Sequence, residues 1–184
     1  MMEQEPERLW CCHCCRGVPT AFCTAAELNA LKLVGKARYI LEHLSVMEAG
    51  EVDRCMSRVH ALATEAASLL RETVCEDALS FGEVNDLLAQ AYAERRDWSR
   101  AVEHAHKSLC ITRLAFGEDS VEAVREEVKW AMLLCRSTSG QGNTLLQLQE
   151  VMQRASMLLG SEHDDVQAMR CLYEHTCVQH SFKD

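Results

Sequence analysis

Apolar side chains recur along this chain at steps of three and four, the spacing of a helix with one buried face. Leu28, Leu31, Val34, Leu41 and Leu44 share such a face, which predicts a first helix over 28–47 that Ala49-Gly50 stops. Val52, Cys55, Met56, Val59, Leu62, Ala63, Ala66 and Leu70 predict a second over about 51–71. Val84, Leu87, Leu88, Ala91 and Tyr92 predict a third helix before Arg95-Arg96-Asp97, and Trp98, Ala101, Val102, Ala105 and Leu109 a fourth after it. Asp97 suits the N-cap of the fourth, because its carboxylate can accept backbone N–H groups left unpaired in the first turn. Asp119-Ser120-Val121-Glu122 reads as a capping box that opens a fifth helix carrying Val121, Val124, Val128, Ala131, Met132 and Cys135. Residues 137–143 (STSGQGN) form the clearest loop. Leu145, Leu148, Val151, Met152, Ala155 and Leu159 then predict a sixth helix, which Gly160 closes. Ser161 to Asp164 caps a seventh, with Val166, Met169, Leu172 and Tyr173.

A longer period lies over this pattern. FGEDSVEAV at 116–124 recurs loosely as LGSEHDDVQAM at 159–169, a step of 43 residues, and VCEDALSFGEV at 74–84 is a weaker echo. Each phrase ends one helix at a glycine or small residue and caps the next, which is how stacked helical hairpins repeat. In the third and fourth helices the spacing of Leu88, Ala89, Tyr92 and Ala101 resembles a tetratricopeptide repeat, with Ala89 where the usual glycine stands. The expected fold is all-α: a tetratricopeptide-like helical-hairpin solenoid of about seven helices over residues 25–184. An acidic N-terminus and a small cysteine-rich ribbon precede it, over residues 1–24.

Composition narrows the function classes. The chain has 184 residues, enough for a real core, and only two prolines, with 48% hydrophobic and 26% charged residues, which suits a helical globular protein. A net charge of -9 without a basic cluster argues against a nucleic-acid partner, whose phosphates demand clustered Lys and Arg. No apolar run approaches a membrane span, and MMEQEPER lacks the layout of a signal peptide, so a cytoplasmic or nuclear location is expected. In such a compartment the eleven cysteines are expected to be reduced.

Five of those cysteines fall in residues 11–23, CCHCCRGVPTAFC. Cys12-x-x-Cys15, or Cys11-x-x-Cys14, has the spacing that lets two thiolates on one tight turn reach adjacent corners of a zinc tetrahedron. Cys23 offers a third thiolate, and His13 or an unused cysteine a fourth ligand, but no second C-x-x-C follows. Bound structural zinc at Cys12, Cys15 and Cys23, a ribbon short of ligands, and a redox role for the thiols all remain open. Elsewhere the chemistry is thin. His104 and His106 are two apart on a helix and point to different faces, so a solvated surface is expected of them. His163-Asp164-Asp165 sits at a helix start, where acidic side chains favour the dipole. Gly140-Gln141-Gly142 has neither the preceding strand nor the basic residue of a phosphate loop. Cysteines 55, 75, 110, 135, 171 and 177 lie on or near apolar stripes and read as small core residues. No catalytic constellation emerges.

The order of WCCHCCRGVP…FC, helical hairpins, DLLAQAYAERRDWSRAVEHAHKSL and GEDSVEAVREEVKWA resembles the C-terminal part of SET and MYND domain-containing proteins. That resemblance, over about Trp10 to Tyr173, implies a family of S-adenosylmethionine-dependent protein-lysine methyltransferases and their relatives. In these a SET domain precedes a cysteine ribbon and a tetratricopeptide-like domain. It carries over a metal role for Cys12, Cys15 and Cys23 alone, and no S-adenosylmethionine site or catalytic residue, since neither the SET core nor the MYND finger has a counterpart here. Some family members hold a chaperone's acidic tail in a basic groove; Asp86 and Gln90 stand where such a clamp would want Lys and Asn. The function expected is a non-catalytic protein-protein interaction module that takes a protein or peptide on its concave helical face. The alternative is a fragment of a SET-domain lysine methyltransferase whose catalytic part lies upstream. The sequence fixes no oligomeric state.

Overall fold

Helical periodicity becomes helix nearly throughout. The computed structural model describes residues 8–10, 17–44, 49–73, 78–137 and 142–181. Among them are two short strands, β1 (Arg8–Trp10) and β2 (Gly17–Pro19), and seven helices: α1 (Thr20–Glu42), α2 (Ala49–Thr73), α3 (Leu79–Glu94), α4 (Trp98–Phe116), α5 (Val121–Ser137), α6 (Gly142–Leu159) and α7 (Asp164–Ser181). The strands pair antiparallel, Leu9 opposite Val18. The all-α expectation therefore holds for every described element after this hairpin. The chain divides into two compact units, Met1–Ala91 and Tyr92–Asp184.

In the first unit α1 packs along α2. The contact face of α1 is made of Ala30, Val34 and Ala37, each 3% exposed or less, and α2 contributes Met56, Val59, Ala63, Ala66 and Leu70, all fully buried. Small residues on one helix and larger ones on the other allow close approach of the backbones without voids. This overturns one expectation: Leu28 and Leu31 are 53% and 42% exposed, because the alanine face of α1, rather than its leucines, meets α2. Helix α1 also begins at Thr20, eight residues earlier than its leucines suggest, and takes in Cys23. Ala49-Gly50 does not stop a helix but starts α2. Phe81, Val84, Leu87, Leu88, Ala89 and Ala91 of α3 are buried, and Arg38 Nη2 of α1 donates to Glu83 Oε2 of α3 at 3.4 Å.

The second unit is built around α5, which packs on α4, α6 and α7. Val124, Val128, Ala131 and Cys135 of α5 join Leu148, Val151 and Ala155 of α6 and Val166 and Met169 of α7 in one buried cluster, flanked by Trp130, Leu159, Leu172 and Tyr173. Burying each of the larger aliphatic side chains contributes about 1.5–3 kcal/mol of transfer free energy.

The 43-residue recurrence is visible in the backbone. Gly117 and Gly160 have φ of 92° and 94°, the left-handed region that favours glycine. The N–H of Gly117 donates to Arg113 O and that of Gly160 to Ser156 O; Ser120 donates to Gly117 O and His163 to Gly160 O; Val124 donates to Ser120 O and Gln167 to His163 O. The same three hydrogen bonds thus make both corners. Capping differs from expectation by one or two residues. Ser120, not Asp119, caps α5, its Oγ accepting from Ala123 N at 3.1 Å. His163, not Ser161, caps α7, its Nδ1 accepting from Asp165 N at 3.2 Å. Asp97 caps α4 as expected, accepting from Arg100 N at 3.3 Å. Just before it Arg96 has φ 59°, a left-handed turn residue that closes α3 while Asp97 N donates to Tyr92 O at 3.0 Å.

Candidate functional site

Among acidic side chains, a buried one is the natural candidate for acid–base chemistry, and Glu127 of α5 is 5% exposed. Its surroundings give it another task. Arg113 Nη2, from α4, donates to Glu127 Oε1 at 2.5 Å, and Arg154 Nη1, from α6, donates to the same oxygen at 3.3 Å. Arg154 Nη2 lies 3.2 Å from Oε2 and donates to Glu118 O at 3.4 Å. Oε2 accepts no hydrogen bond, so its contact with Arg154 is ionic. Two guanidiniums from neighbouring helices thus clamp this one carboxylate. It ties three helices together.

The histidines go where their spacing sends them. His104 stacks on Tyr92 with ring centroids 5.5 Å apart, and Arg100 lies over the same tyrosine ring at 5.5 Å. His106 faces the other way, its Nδ1 3.7 Å from Cys110 Sγ and its ring 5.7 Å from Trp130. Cys110 and Cys171 are exposed, which corrects their reading as core residues; Cys135 is buried, Cys55 and Cys177 are intermediate, and Cys75 lies outside the described residues. Along α4, Glu103 accepts from Lys107 Nζ at 2.6 Å, and that hydrogen bond, with the lysine's charge, holds its carboxyl below the usual range. On α7 a hydrogen bond with Cys177 pushes the Tyr173 phenol up.

Of the expected metal ligands, Cys12 and Cys15 lie outside the described residues; Cys23 falls within α1, and its side chain is likewise outside them. Among the described residues no three His, Cys, Asp or Glu side chains gather as a metal site would require, and no helix is long and apolar enough to cross a membrane.

The feature with the character of a binding surface lies in the first unit. Lys32, Gly35, Lys36, Tyr39 and Ile40 of α1 and Arg58 of α2 line a shallow groove of about 570 Å³. Beside it Leu28, Leu31 and Tyr39 are exposed on the same side of α1. Periodicity alone misses this groove, since it assigns the leucines inward. The clue in the sequence is the alternative apolar spacing Ala30, Val34, Ala37, which leaves Leu28, Leu31 and Tyr39 on the opposite face.

No family model matches the chain. Three curated relatives share the name protein-lysine N-methyltransferase SMYD4. That of Danio rerio is 32% identical over 102 residues, covering 55% of this chain and 13% of the relative. That of Gallus gallus is 24% identical and that of Homo sapiens 25%, each match covering 88% of this chain, with 22% and 21% of the relative. The chain therefore spans less than a quarter of the length of the relatives it matches. Among solved structures, the crystal structure of BtubC (BKLC) from P. vanneervenii is similar with a TM-score of 0.46 at 19% identity, over 82% of this chain and 66% of that one. So loose a likeness says nothing of function. The sequence relatives speak in one voice with the cysteine-rich start and the repeat phrases: this chain is similar to a part of the SET and MYND domain-containing proteins, in particular of the fourth member, SMYD4.

Proposed function

We propose that the chain is a non-catalytic protein-protein interaction module, corresponding to the tetratricopeptide-like C-terminal helical part of a SET/MYND-type protein. The observation that carries this reading is the groove on α1 and α2 beside a face of α1 on which Leu28, Leu31 and Tyr39 stand 53%, 42% and 63% exposed. A helix that presents large apolar side chains to solvent on one face, with a groove at their edge, has the form of a surface completed by a partner. The partner is a protein or peptide. In the same reading Cys12, Cys15 and Cys23 contribute thiolates to a structural zinc that ties down the N-terminal segment. The test is methyl transfer by the purified chain from labelled S-adenosylmethionine to a panel of protein lysines. None is expected, and transfer would overturn the proposal.

A second reading rests on the relatives: all are lysine methyltransferases by name, and the chain spans 13–22% of their length. The chain is then one part of such an enzyme, whose catalytic residues lie outside these 184. An immunoblot of the endogenous protein decides between them. A band at the mass of the 184 residues supports a stand-alone module, and one several times heavier supports the enzyme.

A further inference from the structure

Several cations elsewhere in this acidic chain stand in ion pairs. Arg38 meets Glu83, Arg100 Asp97, Lys107 Glu103, Lys129 Glu126, and Arg113 and Arg154 both meet Glu127. The groove on α1 departs from this. Lys32, Lys36 and Arg58 converge on one concavity, and among the described residues none of the three makes an ion pair. No Asp or Glu stands within four residues of any of them along the chain, so no salt bridge to the next helical turn is on offer either. Lys32 and Lys36 are one turn apart on α1, a like-charge spacing that slightly disfavours the helix.

The apolar part of the surface has a matching geometry. Leu28, Leu31, Gly35 and Tyr39 follow one another at steps of three and four along α1, and so share one face. This is the face opposite Ala30, Val34 and Ala37, which pack inward. The stripe is about 16 Å long at the helical rise. At its middle Gly35 leaves a gap: a Cβ built there would meet no atom within 4 Å. Glycine in a helix interior gives up helix propensity, and here it opens room for a knob from a second helix. Lys32 and Lys36 both follow the stripe on the side that borders Arg58 of α2, whereas Arg38, on its other edge, is paired with Glu83.

We infer that this face of α1 docks an acidic amphipathic helix of a partner protein. The partner's aliphatic side chains lie along Leu28, Leu31 and Tyr39, with one seated over Gly35, and its Asp or Glu residues face Lys32, Lys36 and Arg58 on one flank. The one-sided charge fixes the rotation of the incoming helix about its axis, as flanking charges do in coiled coils. This deepens the interaction-module reading and rests on it.

The test uses the full chain and three labelled peptides of about 18 residues, long enough to be helical. All carry leucine at heptad spacing, with Glu, Gln or Lys at the flanking positions, and binding is read by fluorescence anisotropy. The Glu peptide is expected to bind at least about tenfold more tightly than the Gln peptide, and to weaken as salt rises. Lys32→Glu/Lys36→Glu, both exposed positions that leave the circular dichroism unchanged, is expected to reverse the preference toward the Lys peptide. Equal binding of the Glu and Gln peptides, or a preference that survives the charge reversal, would refute the acidic helix while leaving the module reading, which stands or falls on methyl transfer. Tighter binding of the wild type to heparin or to phosphatidylserine vesicles than to the Glu peptide would also refute it. So would masking of the groove by salt-sensitive self-association in sedimentation equilibrium.

Discussion

Replacing Glu127 with Gln is the most informative single change in the second unit, because one carboxylate holds α4, α5 and α6 at once. At the 3.2 Å separation of Glu127 Oε2 and Arg154 Nη2, two unit charges in an effective dielectric of about 20 attract by about 5 kcal/mol. Taking the carboxylate out of water offsets several kcal/mol of the attraction. The arginine side chains are 29% and 37% exposed, so solvent weakens both pairs. The net loss expected for Glu127→Gln is about 2 kcal/mol, between the value of an exposed pair and that of a buried charge stripped of its partner. Urea unfolding followed by tryptophan fluorescence and far-UV circular dichroism measures it, with a double-mutant cycle through Arg154→Gln. A coupling of about 1 kcal/mol or more is expected. A loss for Glu127→Gln below about 0.5 kcal/mol, the size of a surface change, would refute the view that this carboxylate joins the helices.

Other expectations are independent of that one. Gly35→Ala lies in open space within α1 and should raise stability by about 0.8 kcal/mol in the same unfolding assay while weakening the Glu-flanked peptide; a destabilised protein would contradict the open geometry. Arg96→Gly relieves a left-handed φ of 59° and should stabilise by about 0.5–1 kcal/mol, whereas Gly117→Ala at φ 92° should destabilise by about 1 kcal/mol or more; effects of the opposite sign would mean that the turns are misread. Glu103 has its carboxyl lowered first by the Lys107 hydrogen bond, so its stabilising contribution is complete above the unfolded carboxylate value and is lost as pH falls through the lower folded value. Lys107→Gln should move the Glu103 carboxyl resonance titration upward, and an unmoved titration would count against the pair. Cys12→Ser/Cys15→Ser should lower the zinc content of the purified protein, and unchanged zinc would remove these thiols from the metal role.

How far the sequence could be read depends on the physics of each feature. The helices of the second unit were plain because Val124, Val128, Leu148, Val151 and Val166 are both apolar and buried, so periodicity and packing agree. In α1 they disagree. Leu28 and Leu31 are the more hydrophobic residues, yet Ala30, Val34 and Ala37 form the inner face, since close helix contact rewards small side chains that a hydrophobicity pattern undervalues. Hence the groove could not be seen from periodicity. Glu127 was invisible for a different reason: its partners Arg113 and Arg154 lie 14 and 27 residues away, and only the tertiary fold brings them together. Both cap errors come from neighbours competing for one role. Asp119 and Ser120 are both good caps, and His163 can cap only through an unprotonated Nδ1, which composition does not announce. The candidate metal ligands at Cys12 and Cys15 were legible as a spacing alone.

The corners at Gly117 and Gly160 have a meaning for how such a chain can change length. Because the same acceptors and donors recur 43 residues on, a crossover between equivalent points, such as Phe116 joined to Gly160, rebuilds a corner from parts already shaped for it. Losing or gaining 43 residues in this way preserves the left-handed glycine, the carbonyl that it caps and the start of the next helix. A crossover that joined the corners out of step would put a side chain where glycine turns easily. Growth and shrinkage of this protein in evolution are therefore expected to come in whole steps of the repeat, with intermediate lengths removed by the backbone itself.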